Sequence, residues 1–320
     1  MTPSVAVFGE SLFDMIQTED GLFQPYIGGS PYNVARSFVR QGLVSHYLSP
    51  FSTDDFGDAL YQSALDDGIR IPADFRSKKN TSLALVYKDP QGKPSYRLYR
   101  KGVADLDATA SQLLSVLPSD ISLFHTGSLA LVPEMLDTLI PVIKQLKSQG
   151  VKISIDVNVR KGVEENHQQY IAAIWRFVEF ADIVKVSDED LELKGLTGKP
   201  EFHARAMLER MTDGIVVLTL GEGGSHLFTN DMHLTQPVIS PDIMGDTVGA
   251  GDTYFSALVA YLLQRGGLSH TSSRETLSEA LEYGAMAASL NVAQVGCHPP
   301  SQDEVQHALA RLSQLQGSAE

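Results

Sequence analysis

The sequence predicts an α/β fold in which a central, mostly parallel sheet lies between two layers of helices, beside a small β-sheet lid. Short apolar runs alternate with amphipathic helical stretches from residue 121 to the end of the chain. Polar residues collect just after the apolar runs, where ligands bind in open α/β sheets. One strong hairpin pattern, within 82–100, falls outside this alternation.

The composition fits one such domain and disfavours several classes of protein. The chain has 320 residues, 43% of them hydrophobic, enough for one large core. With 25 Lys and Arg against 39 Asp and Glu, its net charge of −14 argues against nucleic acid or an anionic membrane as a partner. The single cysteine, Cys297, excludes an internal disulfide, and no apolar run reaches the ~20 residues of a membrane span. Since no signal-peptide pattern is visible either, we expect a cytoplasmic protein.

The first element is a buried strand at Val5 to Phe8, bounded by Gly9. Asp14 follows shortly after its end, at a position where carboxylates in α/β proteins often meet ligands. It can equally be a loop residue that caps a turn, and the sequence leaves both interpretations open. The polar residues 17–27 predict a hairpin-like excursion.

A glycine pair, Gly28-Gly29, then leads into a helix that ends near Gly42. Glycine permits close approach of the backbone, and Asn33 on the first helical turn supplies an amide. These groups suit a neutral polyol better than a phosphate. The following elements are a strand from Tyr47 to Phe51 and a helix from Phe56 to Leu65.

The hairpin that falls outside the strand–helix alternation comprises 82–87 and 95–100, which flank the turn Asp89-Pro90-Gln91-Gly92. Together with the excursion at 12–27 it predicts a small sheet covering the site. Tyr99 and Arg100 then lie within reach of a substrate. An ordinary edge hairpin with a solvated arginine is the alternative.

The rest of the chain alternates regularly. The predicted strands are 121–125, 152–158, 183–186 and 214–219, and the predicted helices are 134–149, 167–180, 202–211, 276–293 and 302–315. Polar groups follow three of the strands, at Asp156 to Arg160, Ser187 to Asp190 and Gly221 to Ser225. Within the second group, the carboxylates can hold hydrated Mg²⁺ or cap the following helix, and both remain open.

The most informative stretch is Gly249-Ala250-Gly251-Asp252, which runs into a helix with an apolar stripe. The start of a helix presents unpaired N–H groups and a partial positive charge, and glycine lets a phosphate approach them. Asp252 beside such a site suits removal of a proton from a hydroxyl while a phosphoryl group is held there. Read alone, Asp252 can also be a helix cap.

Two other nucleotide motifs are excluded by spacing. A dinucleotide fingerprint beginning at Gly249 requires glycine at 254, where the chain has Tyr254. A Walker-type loop requires Gly-Lys followed by Ser or Thr, and the pairs at Gly92 and Gly198 are each followed by proline.

On these residues the chain resembles the ribokinase or PfkB family of sugar kinases along nearly its full length, and the bacterial fructokinases most. The signature Asp246 to Thr253 carries the resemblance, and Gly28 to Ala35 is a second motif upstream. Further matching pieces are Gly9-Glu10 with Asp14, Tyr99-Arg100 with Ala104-Asp105, Gly127-Ser128, Asp156 to Arg160 and Ala181 to Ser187. Gly245 stands where the family more often has valine. The resemblance implies one ribokinase-like three-layer α/β/α domain over 1–320, with its lid formed near 12–27 and 82–100.

The resemblance also implies a role for each site residue. Asp252 would be the general base, and the N–H groups of Gly249, Ala250 and Gly251 would form an anion hole. Sugar hydroxyls would be held by Asp14, Gly28, Gly29, Asn33 and Arg160, with Tyr99 or Arg100 reaching from the lid. The nucleotide would contact Ser187, Thr219, Gly221, Gly224 and Asn291. Asp246 and the Val248 carbonyl would bind a monovalent cation, usually K⁺, and Asp188, Glu189 and Asp190 would act on Mg²⁺ through water.

The implied activity is transfer of the γ-phosphoryl group of ATP to a ketohexose, with D-fructose to fructose 6-phosphate as the first expectation. A 2-keto-3-deoxygluconate kinase and a kinase of aminoimidazole riboside or another riboside are the alternatives within the fold. A non-catalytic sugar- or nucleotide-binding regulator is a further alternative, against which the intact Asp252 and its glycine loop argue. Lid sheets of this family often pair, so a homodimer through the lid is an expectation beside a monomer.

Overall fold

The computed structural model describes residues 2–88, 94–160, 163, 166–193 and 195–317. Its strands are β1 (Ser4–Phe8), β2 (Leu12–Gln17), β3 (Phe23–Gly28), β4 (Val44–Tyr47), β5 (Phe51–Ser52), β6 (Arg76–Ser77), β7 (Ser82–Lys88), β8 (Pro94–Tyr99), β9 (Ile121–Gly127), β10 (Lys152–Asp156), β11 (Ile183–Ser187), β12 (Ile215–Thr219), β13 (Ser225–Phe228) and β14 (His233–Gln236). Its α-helices are α1 (Ser30–Arg40), α2 (Asp55–Asp66), α3 (Ala110–Val116), α4 (Leu136–Ser148), α5 (His167–Val178), α6 (Asp188–Leu193), α7 (Pro200–Leu208), α8 (Ala250–Gln264), α9 (Arg274–Val292) and α10 (Gln302–Gly317).

Eight strands form the central sheet, in the order β14-β13-β12-β11-β10-β9-β1-β4. The pairs from β12 to β4 are parallel, and β13 and β14 extend the sheet as an antiparallel hairpin. The parallel strands are apolar on both faces because helices cover both faces. In β1, Val5 and Val7 point into one hydrophobic core, whereas Ala6 and Phe8 point into the other. This confirms the predicted three layers.

Different helices cover the two faces. Residues of α1, α8 and α9 fill the first core, and residues of α4, α5 and α7 fill the second. Because the strands of the parallel part run in one direction, their carboxyl ends meet at one edge, together with the starts of α1 and α8. The polar residues predicted from the sequence are therefore brought to a single edge of the sheet.

A separate four-stranded sheet has the order β3-β2-β7-β8. It is built from the two regions predicted from the sequence, since β2 pairs antiparallel with β3 and parallel with β7, which pairs antiparallel with β8. The small sheet is thus confirmed. The predicted turn Asp89-Pro90-Gln91-Gly92 lies outside the described residues.

One predicted strand is wrong in its position. The strand expected at Tyr47 to Phe51 is instead β4, which pairs with β1 and ends at Tyr47, followed by the two-residue β5. Pro50 explains the break, because proline has no backbone N–H to donate to a sheet. Helix α3 was not predicted, although Thr109 and Gln112 form a capping box at its start.

Candidate active site

Asp252 lies in the first turn of α8 and is 8% exposed. Ser30 Oγ donates a hydrogen bond to its Oδ1 at 2.7 Å, and Asn33 Nδ2 donates to its Oδ2 at 2.9 Å. Both donors come from the start of α1, so the two glycine-rich helix starts meet at this carboxylate. Asn33 was expected to hold a sugar hydroxyl. Its amide N–H₂ also orients Asp252, while its buried Oδ1 has no hydrogen-bond partner among the residues that the structure describes.

Glycine is required where both helices begin. Gly249 precedes α8 with φ +73°, and a Cβ there would overlap the Cys297 side chain. Gly29 precedes α1 with φ +115°, and a Cβ there would overlap the Glu10 carbonyl oxygen. These positions combine a backbone conformation that favours glycine with close approach of a neighbouring segment. The motif glycines therefore set the tight geometry that places Asp252 beside Ser30 and Asn33.

The three residues expected to form the anion hole differ in their backbone partners. The Ala250 N–H already donates to the Thr247 carbonyl at 3.1 Å. Gly251 lies one residue further into α8, where backbone N–H groups have no partner within the helix. Ala250 therefore takes part in an anion hole only if its turn hydrogen bond opens or is shared.

Asn291 braces the glycine loop from the end of α9. Its Nδ2 donates to the Val248 carbonyl at 2.8 Å, and its Oδ1 accepts from the His298 N–H at 2.8 Å and from Thr253 Oγ1 at 3.3 Å. The side chain is completely buried. Asn291 was expected to lie near the adenine or ribose of a nucleotide. The structure engages its amide with protein atoms instead, because α9 packs along α8 and directs the amide into the loop.

Asp246 joins the same loop to the segment after α9. Its Oδ1 accepts from the Val248 N–H and its Oδ2 from the Gly296 N–H, both at 2.9 Å. The Gly245 N–H donates to the Val292 carbonyl, and a Cβ at 245 would overlap the Gln294 backbone, which explains glycine there. Asp246 retains lone pairs for a cation despite these bonds. The described residues contain no group of three or more His, Cys, Asp or Glu arranged to hold a metal ion.

The acidic group after β11 divides into structural and accessible carboxylates. Asp190 is 3% exposed, and its two oxygens accept from the Val159 N–H at 2.6 Å and the Ser187 N–H at 2.8 Å. It also donates its own N–H to Ser187 Oγ at 3.1 Å. Asp190 is therefore used as a cap, which was one of the two interpretations left open by the sequence. Asp188 is half-buried and Glu189 is exposed, so these two remain accessible to a hydrated metal ion.

The expected sugar-binding residues Asp14, Gly28 and Arg160 are brought together. A Cβ at Gly28 would overlap Asp14 Oδ2, so the carboxylate lies directly against the glycine backbone. Burial raises the pKa of Asp14 to about 6, although the positive charge of Arg160 opposes this shift. A half-buried carboxylate within the electrostatic influence of an exposed arginine offers both acceptors and donors to a polyol.

The two lid residues do not occupy the expected places. Arg100 makes an ion pair with Asp105, with Nη2 to Oδ2 at 2.7 Å, and the two side chains are 9% and 2% exposed. Its Nε also donates to the same oxygen at 3.2 Å. Tyr99 is 51% exposed. Arg100 therefore anchors the end of β8 through a buried ion pair. Without Asp105, the positive charge of the buried guanidinium would lack this ion-pair partner.

Glu10 was not predicted as a site residue. It is 2% exposed, its Oε1 accepts from the Ser30 N–H at 3.3 Å, and its Oε2 has no hydrogen-bond partner within the described part of the chain. Burial raises its pKa to about 7, against the opposing attraction of Arg100. The sequence feature that could have indicated Glu10 is an acidic residue just after the first buried strand and Gly9.

A second group missed from the sequence is the ion pair of Asp156, the last residue of β10, and Lys185, the middle residue of β11, which are partners in register. Lys185 Nζ lies 2.9 Å from Oδ1 and 3.1 Å from Oδ2 of Asp156, and the side chains are 6% and 0% exposed. Burial raises the pKa of Asp156 to about 6 despite Lys185. Burial is the largest influence on Lys185 and acts to lower its pKa, but the combined attraction of Asp156, Asp190 and Asp252 makes the net shift upward. Both groups are therefore charged at neutral pH. The sequence feature that could have indicated this ion pair is a lysine inside the apolar run of β11.

The expected nucleotide-binding residues line the neighbouring strand ends. Ser187 and Thr219 are paired in register at the ends of β11 and β12. The loop after β12 turns tightly through Gly221 and Gly224, with φ +52° and +85°. A Cβ at Gly224 would overlap the Gln236 carbonyl oxygen. These residues lie on the same edge of the sheet as Asp156 and Lys185.

Comparison with known proteins agrees with this architecture. The model of the pfkB family carbohydrate kinases matches residues 2–304. The chain belongs to this family. It is 30% identical over 330 aligned positions to the probable chloroplastic fructokinase-6 of Arabidopsis thaliana, covering 97% of this chain and 83% of the relative. It is 29% identical to a fructokinase of Rhizobium leguminosarum bv. trifolii, covering 86% and 85% of the two chains.

Solved structures of family members share the fold. The fructokinase of Xylella fastidiosa with bound ATP superposes with a TM-score of 0.86 at 24% identity, covering 98% of this chain and 100% of that one. The fructokinase of Vibrio cholerae O395 in its fructose, ADP and calcium ion bound form has a TM-score of 0.80 at 26% identity, covering 96% and 99%. The chain is therefore a carbohydrate kinase with the ribokinase-like fold. No helix of the described ranges has the length and hydropathy needed to cross a membrane.

Proposed function

We propose that this protein transfers the γ-phosphoryl group of ATP to D-fructose, giving fructose 6-phosphate and ADP. The observation that carries the proposal is the Asp252 carboxylate, which is buried, oriented by Ser30 and Asn33, and set in a glycine-rich helix start. A protein that only binds sugar or nucleotide has no need of a base at this point. The choice of fructose rests on the relatives, which are named fructokinases.

In this mechanism Asp252 accepts the proton of the sugar hydroxyl while the hydroxyl oxygen forms a bond to the γ-phosphorus. The bond between that phosphorus and the β,γ-bridging oxygen breaks, and its electron pair leaves with ADP. Ser30 and Asn33 keep the carboxylate aimed at the hydroxyl, which matters because phosphoryl transfer depends mainly on positioning and charge stabilisation. Gly249 and Gly251 provide close access to the start of α8, whose partial positive charge favours the transferred group.

The same proposal assigns the sugar to the pocket beside Asp14. Asp14 and the unpartnered Oδ1 of Asn33 accept hydrogen bonds from sugar hydroxyls, and Arg160 donates to them. The backbone at Gly28 and Gly29 allows the sugar to approach closely. The small sheet formed by β3, β2, β7 and β8 acts as the lid and limits the access of water to ATP. Tyr99 contacts the substrate only if β8 moves inward, since it is exposed in this structure.

We assign the nucleotide to the strand ends and loop that carry Ser187, Thr219, Gly221 and Gly224. Mg²⁺ would be held through water by Asp188 and Glu189, and it would neutralise charge on the phosphates. Asp246 and the Val248 carbonyl would hold K⁺ by sharing their present hydrogen bonds. A fructokinase of Vibrio cholerae O395 was solved in a fructose, ADP and potassium ion bound form.

We further propose that two copies associate through the lid sheet in a reducing, cytoplasmic compartment. Tyr26, Tyr96 and Tyr99 on this sheet are 46%, 65% and 51% exposed. Aromatic side chains of this kind are enriched at protein interfaces. Light scattering coupled to gel filtration measures the mass directly, and a monomer at micromolar concentration would refute the dimer.

A coupled assay of ADP release over a panel of acceptors tests the activity. The panel contains fructose, tagatose, ribose, 2-keto-3-deoxygluconate and nucleosides including aminoimidazole riboside, each with ATP, Mg²⁺ and K⁺. We expect the highest kcat/KM with fructose. A higher value with 2-keto-3-deoxygluconate or a riboside would replace the substrate but keep the reaction, and no turnover with any acceptor would favour a binding regulator.

A further inference from the structure

The buried ion pair of Lys185 and Asp156 has no function in the mechanism above, yet it lies directly against the phosphoryl-binding loop. A Cβ placed on Gly251 would come within 3.4 Å of Lys185 Nζ. Asp252 and Asp190 also attract this ammonium. The amino end of α8 and the buried lysine therefore converge on one small volume.

This placement is electrostatically unusual. The start of a helix carries a partial positive charge, so a cation beside it is unfavourable unless an anion also occupies the place. Asp156 compensates part of the charge, and the two contacts to its oxygens engage two of the three N–H donors of the ammonium. Asp252, in the first turn of α8, adds a further negative charge, and the third donor of the ammonium is left for an incoming phosphoryl group.

Stability alone does not account for the pair. Removing two charges from water is costly, and replacing a buried pair with neutral residues often leaves stability unchanged or raises it. Asp156 and Lys185 are almost completely buried. Two charged groups that are this deeply buried are expected where their charge acts on a ligand.

We propose that Lys185, held in position by Asp156, supplies the fixed positive charge that stabilises the γ-phosphoryl group during its transfer from ATP to the sugar. The inference rests on the proposed kinase activity of the Asp252 site. As the bond from the sugar oxygen to phosphorus forms and the bond to the bridging oxygen breaks, charge on the phosphoryl oxygens is balanced by Lys185, while the proton goes to Asp252. A preorganised charge in a water-poor site is effective because it needs no rearrangement during the reaction.

The test uses the double variant Lys185→Met/Asp156→Asn, which removes both charges of the pair together. Lys152→Met is the matched control, because Lys152 lies on the same two-strand unit at its opposite end. We expect the double variant to fold, as judged by thermal unfolding. Its kcat should fall by about 10²-fold with little change in the sugar KM, which is the scale of losing one electrostatic contact in the transition state. Lys152→Met should keep the wild-type kcat.

A binding measurement separates this inference from the kinase proposal. By calorimetry without sugar, the double variant should bind ATP about tenfold more weakly than wild type while its ADP affinity stays the same, because only ATP carries the γ-phosphoryl group. If wild type phosphorylates no acceptor, the kinase proposal fails, and the comparison of ATP with ADP still decides the role of Lys185. If the double variant does not fold, Lys185→Gln/Asp156→Asn, which keeps hydrogen-bonding groups on both sides but no charge, takes its place. A folded variant with unchanged kcat, or with an unchanged ratio of ATP to ADP affinity, would overturn the role of Lys185.

Discussion

The strand β10 takes part in a lysine–aspartate pair at each of its ends, and the two pairs differ in almost every property except residue type. At the amino end Lys152 lies 3.2 Å from Asp182, with the side chains 41% and 16% exposed. At the carboxyl end Lys185 lies 2.9 Å from Asp156, with the side chains 6% and 0% exposed. The first pair is screened by water, whereas the second is desolvated beside the glycine loop.

The difference teaches that position in the sheet decides what a charged pair does. Exposed pairs contribute about 0–1 kcal/mol, and Asp182 would keep Lys147 as a partner if Lys152 were removed. At the carboxyl edge, Asp14, Glu10 and Asp156 all have raised pKa values caused first by burial. Such groups cluster at functional sites. If the active site lies at the carboxyl edge of the sheet, substitutions at this edge should change turnover or ligand binding.

The largest expected effect is on turnover, from Asp252→Asn at the carboxyl edge. The amide cannot accept the sugar proton, so kcat should fall by about 10²–10⁴-fold. Ser30 and Asn33 can still bond the new side chain, so the fold and sugar binding should persist. Steady-state kinetics with the preferred sugar, alongside circular dichroism, gives the answer. Turnover close to wild type would remove Asp252 from the role of base.

A smaller effect is expected on sugar affinity, from Asp14→Asn. Loss of charged hydrogen bonds of about 1.5–3 kcal/mol should raise the sugar KM about 10–100-fold, with a much smaller change in kcat. Because burial raises the pKa of Asp14 to about 6, wild-type kcat/KM for the sugar should decline as the pH falls through that value. The variant should lack this decline. An unchanged sugar KM in Asp14→Asn would place the sugar elsewhere.

The third prediction concerns stability and Glu10→Gln. The pKa of Glu10 rises from 4.5 to about 7 on folding, so the proton stabilises the fold below about pH 4.5, and this contribution is lost as the pH rises through about 7. The glutamine resembles the protonated acid. The variant should match wild type near pH 4.5 and exceed its free energy of unfolding by about 3 kcal/mol above pH 7. Urea titrations at the two pH values measure the gap, and Glu19→Gln, at an exposed position, is the control. Equal gaps at both pH values would show that Glu10 is not held in an unfavourable charged state.

The smallest effects come from alanine at the two ends of α8. Gly266 has φ +66° with open space around it, so Gly266→Ala should cost only the backbone strain, about 1–2 kcal/mol. Gly249 has a similar φ but also meets Cys297, so Gly249→Ala should cost more and should lower kcat as well. Thermal unfolding and kinetics of the two variants separate strain from contact. Equal losses of stability, with full activity in both, would contradict the tight packing of the loop.

Most of the strands and helices could be predicted, because the apolar runs and the glycines that end helices are local signals, whereas the short helix α3 was missed. The strand predicted at Tyr47 to Phe51 was misplaced because its apolar residues are typical of a strand, whereas Pro50 interrupts one. The glycine-rich motif around Asp252 could also be recognised, since its residues are contiguous.

The partners of these residues could not be predicted, because they come from distant parts of the chain. Ser30 and Asp252 are 222 positions apart, and Asn291 and Val248 are 43 positions apart. For this reason Asn291 was assigned to the nucleotide and Arg100 to the sugar, although each has a protein partner that only folding reveals. Lys185 could be recognised in the sequence as a charged residue within a buried strand. Its proposed role could be inferred only from the structure, which places it beside Gly251.

The most direct test of the account is to identify the product made by the wild-type protein from fructose, ATP, Mg²⁺ and K⁺. Phosphorus NMR of the reaction follows ATP, ADP and the sugar phosphate in one sample. We expect wild type to form equal amounts of ADP and fructose 6-phosphate, and Asp252→Asn to form almost none of either. Release of inorganic phosphate without a sugar phosphate, or equal product from the two proteins, would contradict it.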